Sequence, residues 1–273
     1  MTSTATLDSG LTLSYAEQGE PAQHALVLLP GPTDSWRSYE PVLARLPSSI
    51  RAVAVSQRGH GDSDKPMTGY GVQDFAADVV PFLDTLGIDR AVLAGHSGSC
   101  LVVRRVAIDH PERVAGLVLE ASPTTLHGDA RFEGLVETLV SDLKDPISAD
   151  FAHSFIVDTS AEGLDPAVLE QLAHELLKVP ARVWSEAFAR LLEYDDTPEL
   201  RHIAAPALLI WGDADVLVGH DMQEMLAERI PDTTSIVYPG VGHTPRWEDP
   251  SRFAADVAAF IERVLPRVVE DRD

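Results

Sequence analysis

The sequence has 273 residues, of which 45% are hydrophobic, and its formal net charge is −22. A chain of this length can bury one large core, or a core with a smaller inserted unit. The charge opposes binding to nucleic acid because phosphates would be repelled. The sequence also contains no apolar run near the ~20 residues that a membrane span needs.

The first ten residues lack the basic and apolar regions of a secretory signal. The single cysteine excludes an internal disulfide framework. Both observations favour a reducing compartment, so we expect a cytoplasmic protein.

Strand and helix patterns alternate through the first 122 residues. Strands are predicted from a period-two pattern and from short apolar runs, at residues 11–19, 24–31, 51–55, 90–97 and 114–122. Helical spacing follows these strands at residues 35–46, 72–87 and 98–111. This alternation predicts a parallel sheet with helices on both faces.

The alternation stops between about residues 123 and 204, where two or more amphipathic helix patterns occur without a strand signal. It then resumes with strand, helix, strand and helix patterns at residues 206–213, 220–231, 234–240 and 250–265. We therefore predict a core formed by residues 1–123 and 204–273, with residues 124–203 inserted as a helical cap over the carboxyl edge of the sheet.

The stretch LAGHSGSCL, residues 93–101, places a serine in a sharp strand-to-helix turn. Gly95 and Gly98 flank Ser97, and small residues allow a turn that exposes the serine hydroxyl. The next N–H groups lie at a helix N-terminus, where they favour a developing negative charge. This is the logic of the G-x-S-x-G nucleophile elbow, although Ser99 replaces the last glycine. Cys100, on the first turn of the helix, is better interpreted as a buried filler.

A nucleophilic serine needs a base and an acid, in the chain order serine, acid, histidine for this topology. Asp213 and Asp215 follow the strand at 206–213, and His243 follows the next strand. The order and positions agree, so His243 is the predicted base. No zinc motif is present, because His174 lacks the second histidine of H-E-x-x-H, and neither a metal nor a cofactor is expected.

The chain resembles the α/β-hydrolase fold superfamily, and within it the capped serine hydrolases such as esterases and lactonases. The matching segments are LLPGPTDSWRSYEPVL, SQRGHGDSDKP, GHSGS, WGDADVLV and GVGHTPRWEDP. In this pattern the acid is the second carboxylate of GDAD, which implies Asp215. Position 97 is serine, which disfavours the aspartate-nucleophile chemistry of epoxide hydrolases.

Some similar enzymes, which open the macrolactone of zearalenone, place their acid one strand after the nucleophile, near Glu120. That acid aligns beside Ala121, and a shift of one residue on a strand turns the side chain to the other face. We therefore favour Asp215 and keep a macrolactone hydrolase that uses Glu120 as an alternative.

The resemblance also implies an oxyanion hole. Relatives usually have HG after the third strand, and the next residue donates its N–H. Here Gly31 is followed by Pro32, which has no N–H. The expected donors are therefore the Gly98 N–H and Thr33, through either its hydroxyl or its N–H, with Gly31 in the same loop. Relatives also usually carry an aspartate at Ser56. The residues expected around the substrate are Pro32, His96, Glu120, Trp184 and Phe188.

The sequence thus predicts a serine hydrolase that cleaves a small carboxylic ester or lactone. The same triad also serves carbon–carbon bond hydrolysis and perhydrolysis, which stay open, as does a homodimer. The altered oxyanion loop leaves a further alternative, a hydrolase fold that binds a ligand without turnover.

Overall fold

A computed structural model describes residues 2–20, 25–160 and 165–265. These residues form one eight-stranded sheet with the order β1-β2-β4-β3-β5-β6-β7-β8. The strands are β1 Thr2–Thr6, β2 Thr12–Gln18, β3 Ala25–Leu29, β4 Arg51–Val55, β5 Ala91–His96, β6 Val114–Glu120, β7 Ala207–Gly212 and β8 Thr233–Tyr238.

The pairs from β3 to β8 are parallel, whereas β1 pairs with β2 and β2 pairs with β4 in antiparallel directions. The predicted, mostly parallel α/β-hydrolase sheet is confirmed. Strand β1 is absent from the sequence prediction because it is a polar edge strand with only Ala5 buried, and such a strand carries little period-two hydrophobic signal.

The helices are α1 Glu40–Leu43, α2 Val72–Thr85, α3 Ser99–Asp109, α4 Ala130–Val140, α5 Ala149–Thr159, α6 Pro166–Leu176, α7 Ala181–Glu193, α8 His220–Arg229, α9 Pro245–Glu248 and α10 Pro250–Val264. The helix predicted at 35–46 is shorter, since a 3₁₀ turn at Trp36–Tyr39 precedes α1. None of the described helices is long and apolar enough to cross a membrane.

Between β6 and β7 the described residues contain the four helices α4–α7, hereafter the cap helices, and no strand. Apolar residues of these helices, among them the buried Trp184 and Leu176, form one cluster together with Tyr70 and Trp247 from outside the cap. The division into residues 1–123, 124–203 and 204–273 agrees with this order but stays a prediction. Below the cap helices, two apolar clusters hold the sheet between its helix layers.

The position of the strands explains where a site can form. In a parallel sheet the loops after the carboxyl ends of the strands converge on one edge. The loops after β3, β5, β7 and β8 therefore meet beneath the cap helices.

Candidate active site

Ser97 occupies the turn between β5 and α3 with a φ of 53°, in the left-handed region. Its N–H donates to the Glu120 carbonyl at 2.9 Å and its carbonyl accepts from Cys100. A Cβ on Gly95 would lie 2.6 Å from the Ser99 carbonyl oxygen, so only glycine allows the first turn of α3 to pass this close. The backbone thus has the sharp strand-to-helix geometry predicted from the sequence.

Ser99 replaces the usual last glycine without opening the turn. Its hydroxyl donates to the Pro30 carbonyl at 2.6 Å and accepts from Gln57 Nε2 at 2.8 Å. The side chain therefore links α3 to the loop after β3. Cys100 is fully buried, and burial raises the pKa of its thiol to about 12, which removes it as a nucleophile.

His243 and Asp215 form a hydrogen bond of 2.8 Å between Nδ1 and Oδ2. The other carboxylate oxygen of Asp215 accepts from the N–H groups of Leu217 and Val218, at 2.8 and 3.0 Å. These contacts fix the carboxylate, and the carboxylate in turn orients the imidazole. Asp213 has a different position, since it accepts from the Gly240 N–H at 2.6 Å.

His96 supports the loop that carries His243. Its Nε2 donates to the His243 carbonyl at 2.9 Å, and the two rings have their centroids 4.8 Å apart. Burial, followed by the charges of Arg246 and His243, lowers the pKa of His96 well below its usual range, so the ring is neutral. A Cβ on Gly31 would lie 2.4 Å from His96 Nδ1, which explains the need for glycine there.

Ser97 and His243 both line a cavity of about 330 Å³ between the sheet edge and the cap helices. The hydrogen bonds of the described residues do not include one between these two side chains, and such contacts often tighten only when substrate binds. Of the residues expected in the pocket or oxyanion hole, five line this cavity: Gly31, Pro32, His96, Gly98 and Phe188.

Trp184 does not line the cavity, which corrects its assignment to the pocket. Its side chain is completely buried, and its ring centroid lies 5.3, 5.0 and 5.8 Å from those of Phe151, Phe155 and Phe188. These three phenylalanines line the cavity in its place. Phe188 was expected from the sequence, but Phe151 and Phe155 were not. Their i, i+4 spacing in α5 is the sequence signal that could have indicated these two.

Glu120 also lies outside the cavity, so its expected place in the pocket is corrected. Its alternative role as the acid that binds His243 is corrected as well, by the contacts that follow. Its carboxylate accepts from Tyr39 Oη at 3.0 Å, from the Arg246 N–H at 2.9 Å and from Arg246 Nη1 at 3.3 Å. It makes no hydrogen bond to His243, which is bound to Asp215. Burial, only partly offset by Arg246, raises the pKa of Glu120.

Pro32, which stands where relatives usually have a residue with an N–H, lies in a tight turn. The Asp34 N–H donates to the Gly31 carbonyl at 3.1 Å, and Thr33 has a φ of 78°. A proline followed by a residue with positive φ inside such a bond is typical of a type II turn. Thr33 does not line the cavity, and its buried hydroxyl has no partner among the described residues.

Arg246 connects Asp34, in the loop after β3, with Glu120, at the end of β6. Its Nη2 donates to Asp34 Oδ2 at 2.6 Å, its other contacts hold Glu120, and its side chain is completely buried. Sequence reasoning missed both Arg246 and Asp34, since nothing in their local patterns indicates a contact across more than 200 residues. The described part of the chain contains no group of three or more His, Cys, Asp or Glu side chains placed to hold a metal ion.

Comparison with known proteins identifies the fold family. A family model for the alpha/beta hydrolase fold matches residues 24–250. The chain is 28% identical to 2-(acetamidomethylene)succinate hydrolase of Mesorhizobium japonicum over 92% of both chains. It is 28% identical to a non-heme chloroperoxidase of Streptomyces lividans, over 95% of this chain and 99% of that one.

A solved structure, the esterase RhEst1 from Rhodococcus sp. ECU1013, is 29% identical with a TM-score of 0.84, over 96% of this chain and 99% of that one. The family match spans well over half of the sequence, and the sheet has the corresponding topology. This chain belongs to the alpha/beta hydrolase fold family.

Proposed function

We propose that the protein is a serine hydrolase that cleaves a carboxylic ester or a lactone through an acyl-enzyme. The observation that carries this proposal is the 2.8 Å hydrogen bond between His243 and Asp215. His243 lines the same cavity as Ser97, which lies in the strained turn between β5 and α3. A neutral imidazole held by a carboxylate at Nδ1 presents its Nε2 as an acceptor for the serine proton.

In this mechanism Ser97 Oγ attacks the carbonyl carbon while His243 Nε2 takes the proton. The tetrahedral oxyanion collapses, and His243 protonates the leaving alcohol, or the alkoxide end of an opened lactone. Water, deprotonated by the same nitrogen, then attacks the acyl-enzyme and releases the acid and Ser97. Asp215 stabilises the imidazolium at each stage.

The proposed oxyanion donors are the N–H of Gly98, which lines the cavity, and the N–H of Thr33, whose chain neighbours Pro32 and Asp34 line it although Thr33 itself does not. Neither N–H makes a hydrogen bond within the part of the chain that the structure describes. The Pro32 ring packs on Gly98, since a Cβ there would lie 2.9 Å from Pro32 Cγ, so the two loops adjoin. The buried Thr33 hydroxyl favours the backbone N–H over the side chain as the donor.

A fluorophosphonate probe tests the nucleophile, since it labels only an activated serine. Ser97→Ala should abolish labelling and lower kcat at least about 10³-fold on a responsive ester. Ser154→Ala is the matched control, because Ser154 lines the same cavity. This substitution should leave labelling unchanged. Labelling of Ser97→Ala would refute the proposal. Binding of an ester or lactone without any turnover by wild type would favour a binding protein instead.

The similarity to a non-heme chloroperoxidase supports one second candidate, perhydrolysis by the same three residues. In that reaction hydrogen peroxide replaces water in attack on the acyl-enzyme and yields a peracid. To separate this activity from hydrolysis, the protein is incubated with hydrogen peroxide and a short-chain carboxylic acid, and a peracid-sensitive dye reports whether the peracid forms. Location in the cytoplasm and a homodimer stay predictions.

A further inference from the structure

The cavity next to Ser97 has an unusual balance of apolar and charged groups. Most of its wall is apolar, formed among others by Phe132, Leu139, Phe151, Phe155, Phe188 and Leu191. The charged groups are two carboxylates, Asp34 and Asp158, and no lysine or arginine of the described residues lines the cavity. An anionic substrate would find no opposite charge on this wall.

Asp158 is a free acidic group facing the cavity from α5. It is exposed, and within the described ranges its carboxylate makes neither an ion pair nor a hydrogen bond. No side chain of the described residues therefore neutralises its negative charge. A second carboxylate placed nearby would be repelled by it, most strongly when the substrate has displaced water from the cavity.

Arg246, the cation next to this site, cannot serve a substrate anion. Its guanidinium lies 2.6 Å from Asp34 and 3.3 Å from Glu120, and no part of the side chain is exposed. One positive charge faces two carboxylates in this cluster. A substrate carboxylate would thus have to displace Asp34 to reach it, at the cost of leaving Asp34 buried and unpaired.

We propose that this cavity selects uncharged, apolar substrates and discriminates against those that carry a carboxylate on the acyl or alcohol part. Asp158 and Asp34 are the residues that set this discrimination. The inference rests on the proposed hydrolase function and names its substrate class. It separates this chain from its relative that is named for a succinate derivative.

Three 4-nitrophenyl esters test the proposal because they differ only at the far end of one acyl chain. These are 4-nitrophenyl hexanoate, the mono-4-nitrophenyl ester of adipic acid, and its neutral methyl diester. The free adipate ester carries a carboxylate, and the methyl diester controls for bulk and polarity. Because moving an unpaired carboxylate out of water is strongly unfavourable, kcat/KM for both neutral esters should exceed that of the anion at least about 100-fold.

The charge at residue 158 should control this ratio. Asp158→Lys replaces a repulsive charge with an attractive one and should reduce the ratio about tenfold or more. Asp8→Lys is the control, since it makes the same change in net charge on an exposed residue of the β1–β2 turn, at the β1 edge of the sheet and outside the cavity lining. It should reproduce the wild-type ratio. An equal reduction in both variants would show a general charge effect and overturn the assignment to Asp158.

Equilibrium binding of the three esters to the Ser97→Ala variant separates selectivity from chemistry. If both neutral esters bind or react far better than the anion, the proposal stands, even where Ser97 proves not to be the nucleophile. If the adipate monoester reacts and binds within about threefold of its methyl diester, the proposal is wrong, while turnover and labelling of Ser97 would still uphold the hydrolase function.

Discussion

Arg104 provides the sharpest test of how the cap helices are fastened to the sheet. It lies on α3, and its side chain is completely buried, as is that of Asp196. Its Nε and Nη2 donate to the two oxygens of Asp196, at 3.0 and 2.6 Å. Its Nη1 and Nη2 also donate to the carbonyls of Pro123 and Thr124, at 2.8 and 2.9 Å. One guanidinium thus joins both chain segments that flank the cap helices.

Replacing Arg104 with methionine keeps much of the apolar volume and removes every one of these donors. Asp196 would then be a buried carboxylate without its counter-charge, and the Thr124 carbonyl would lose its donor, whereas the Pro123 carbonyl would keep the Ser122 hydroxyl at 3.1 Å. Breaking a buried pair from one side costs about 3–5 kcal/mol, so we expect a loss near 4 kcal/mol. With a conversion of roughly 2–4 °C per kcal/mol for a chain of this size, Tm should fall by roughly 8–16 °C.

Thermal and urea unfolding measure this loss, with Arg105→Met as the control. Arg105 is the next residue, but its partners Asp109 and Glu199 are 50% and 44% exposed, so its loss should cost less than about 1 kcal/mol. The double variant Arg104→Met with Asp196→Leu removes both charges and should recover much of the stability. A loss below about 1 kcal/mol in Arg104→Met, or no recovery in the double variant, would refute this account.

Three further predictions follow from the site. Asp215→Asn should lower kcat about 10⁴-fold. Because Oδ1 already accepts from two backbone N–H groups, the new amide NH₂ would take the place of Oδ2, donate to His243 Nδ1 and force the wrong imidazole tautomer. An active variant would contradict this. Burial, only partly offset by Arg246, raises the pKa of Asp34 from 3.8 to about 6, so its folded form holds a proton more tightly and its contribution to stability grows as pH falls from 7 towards 4. Asp34→Asn should therefore flatten the pH dependence of the free energy of unfolding over that range, by at most roughly 3 kcal/mol, and an unchanged profile would reject the shift. Trp184→Ala should cost about 3–5 kcal/mol of stability, whereas Phe155→Ala should mainly change ester chain-length preference, and a reversed pattern in unfolding and ester assays would place Trp184 on the substrate side.

Local patterns were sufficient to predict the framework of the site. Alternating apolar runs and helical spacings predict the parallel strands, because each element is recognised within a few residues. The glycine–serine turn at Ser97 and the chain order of Ser97, Asp215 and His243 also follow from short segments at strand ends. Parallel topology then brings those ends to one edge, and the structure has His243 bound to Asp215 at that edge.

Helical spacing in the cap, by contrast, does not predict which apolar side chains face the cavity. Trp184 and Phe188 have the same periodicity, yet only Phe188 reaches the cavity, since the rings of Phe151 and Phe155 from another helix pack on Trp184. A periodic pattern identifies an apolar face, but the neighbouring helix decides which residues of that face stay open to a ligand.

The sequence by itself therefore determined the class of fold, the strained turn at Ser97 and the order of its partners, because these depend on neighbours in the chain. The tertiary structure alone decided the charge of the cavity and the fate of Glu120. Arg246 reaches Glu120 and Asp34 across 126 and 212 residues, and a buried charge is satisfied by whatever partner the fold brings within hydrogen-bond distance. Such contacts have no local pattern, so only the folded chain shows which carboxylates are paired and which, like Asp158, line the cavity.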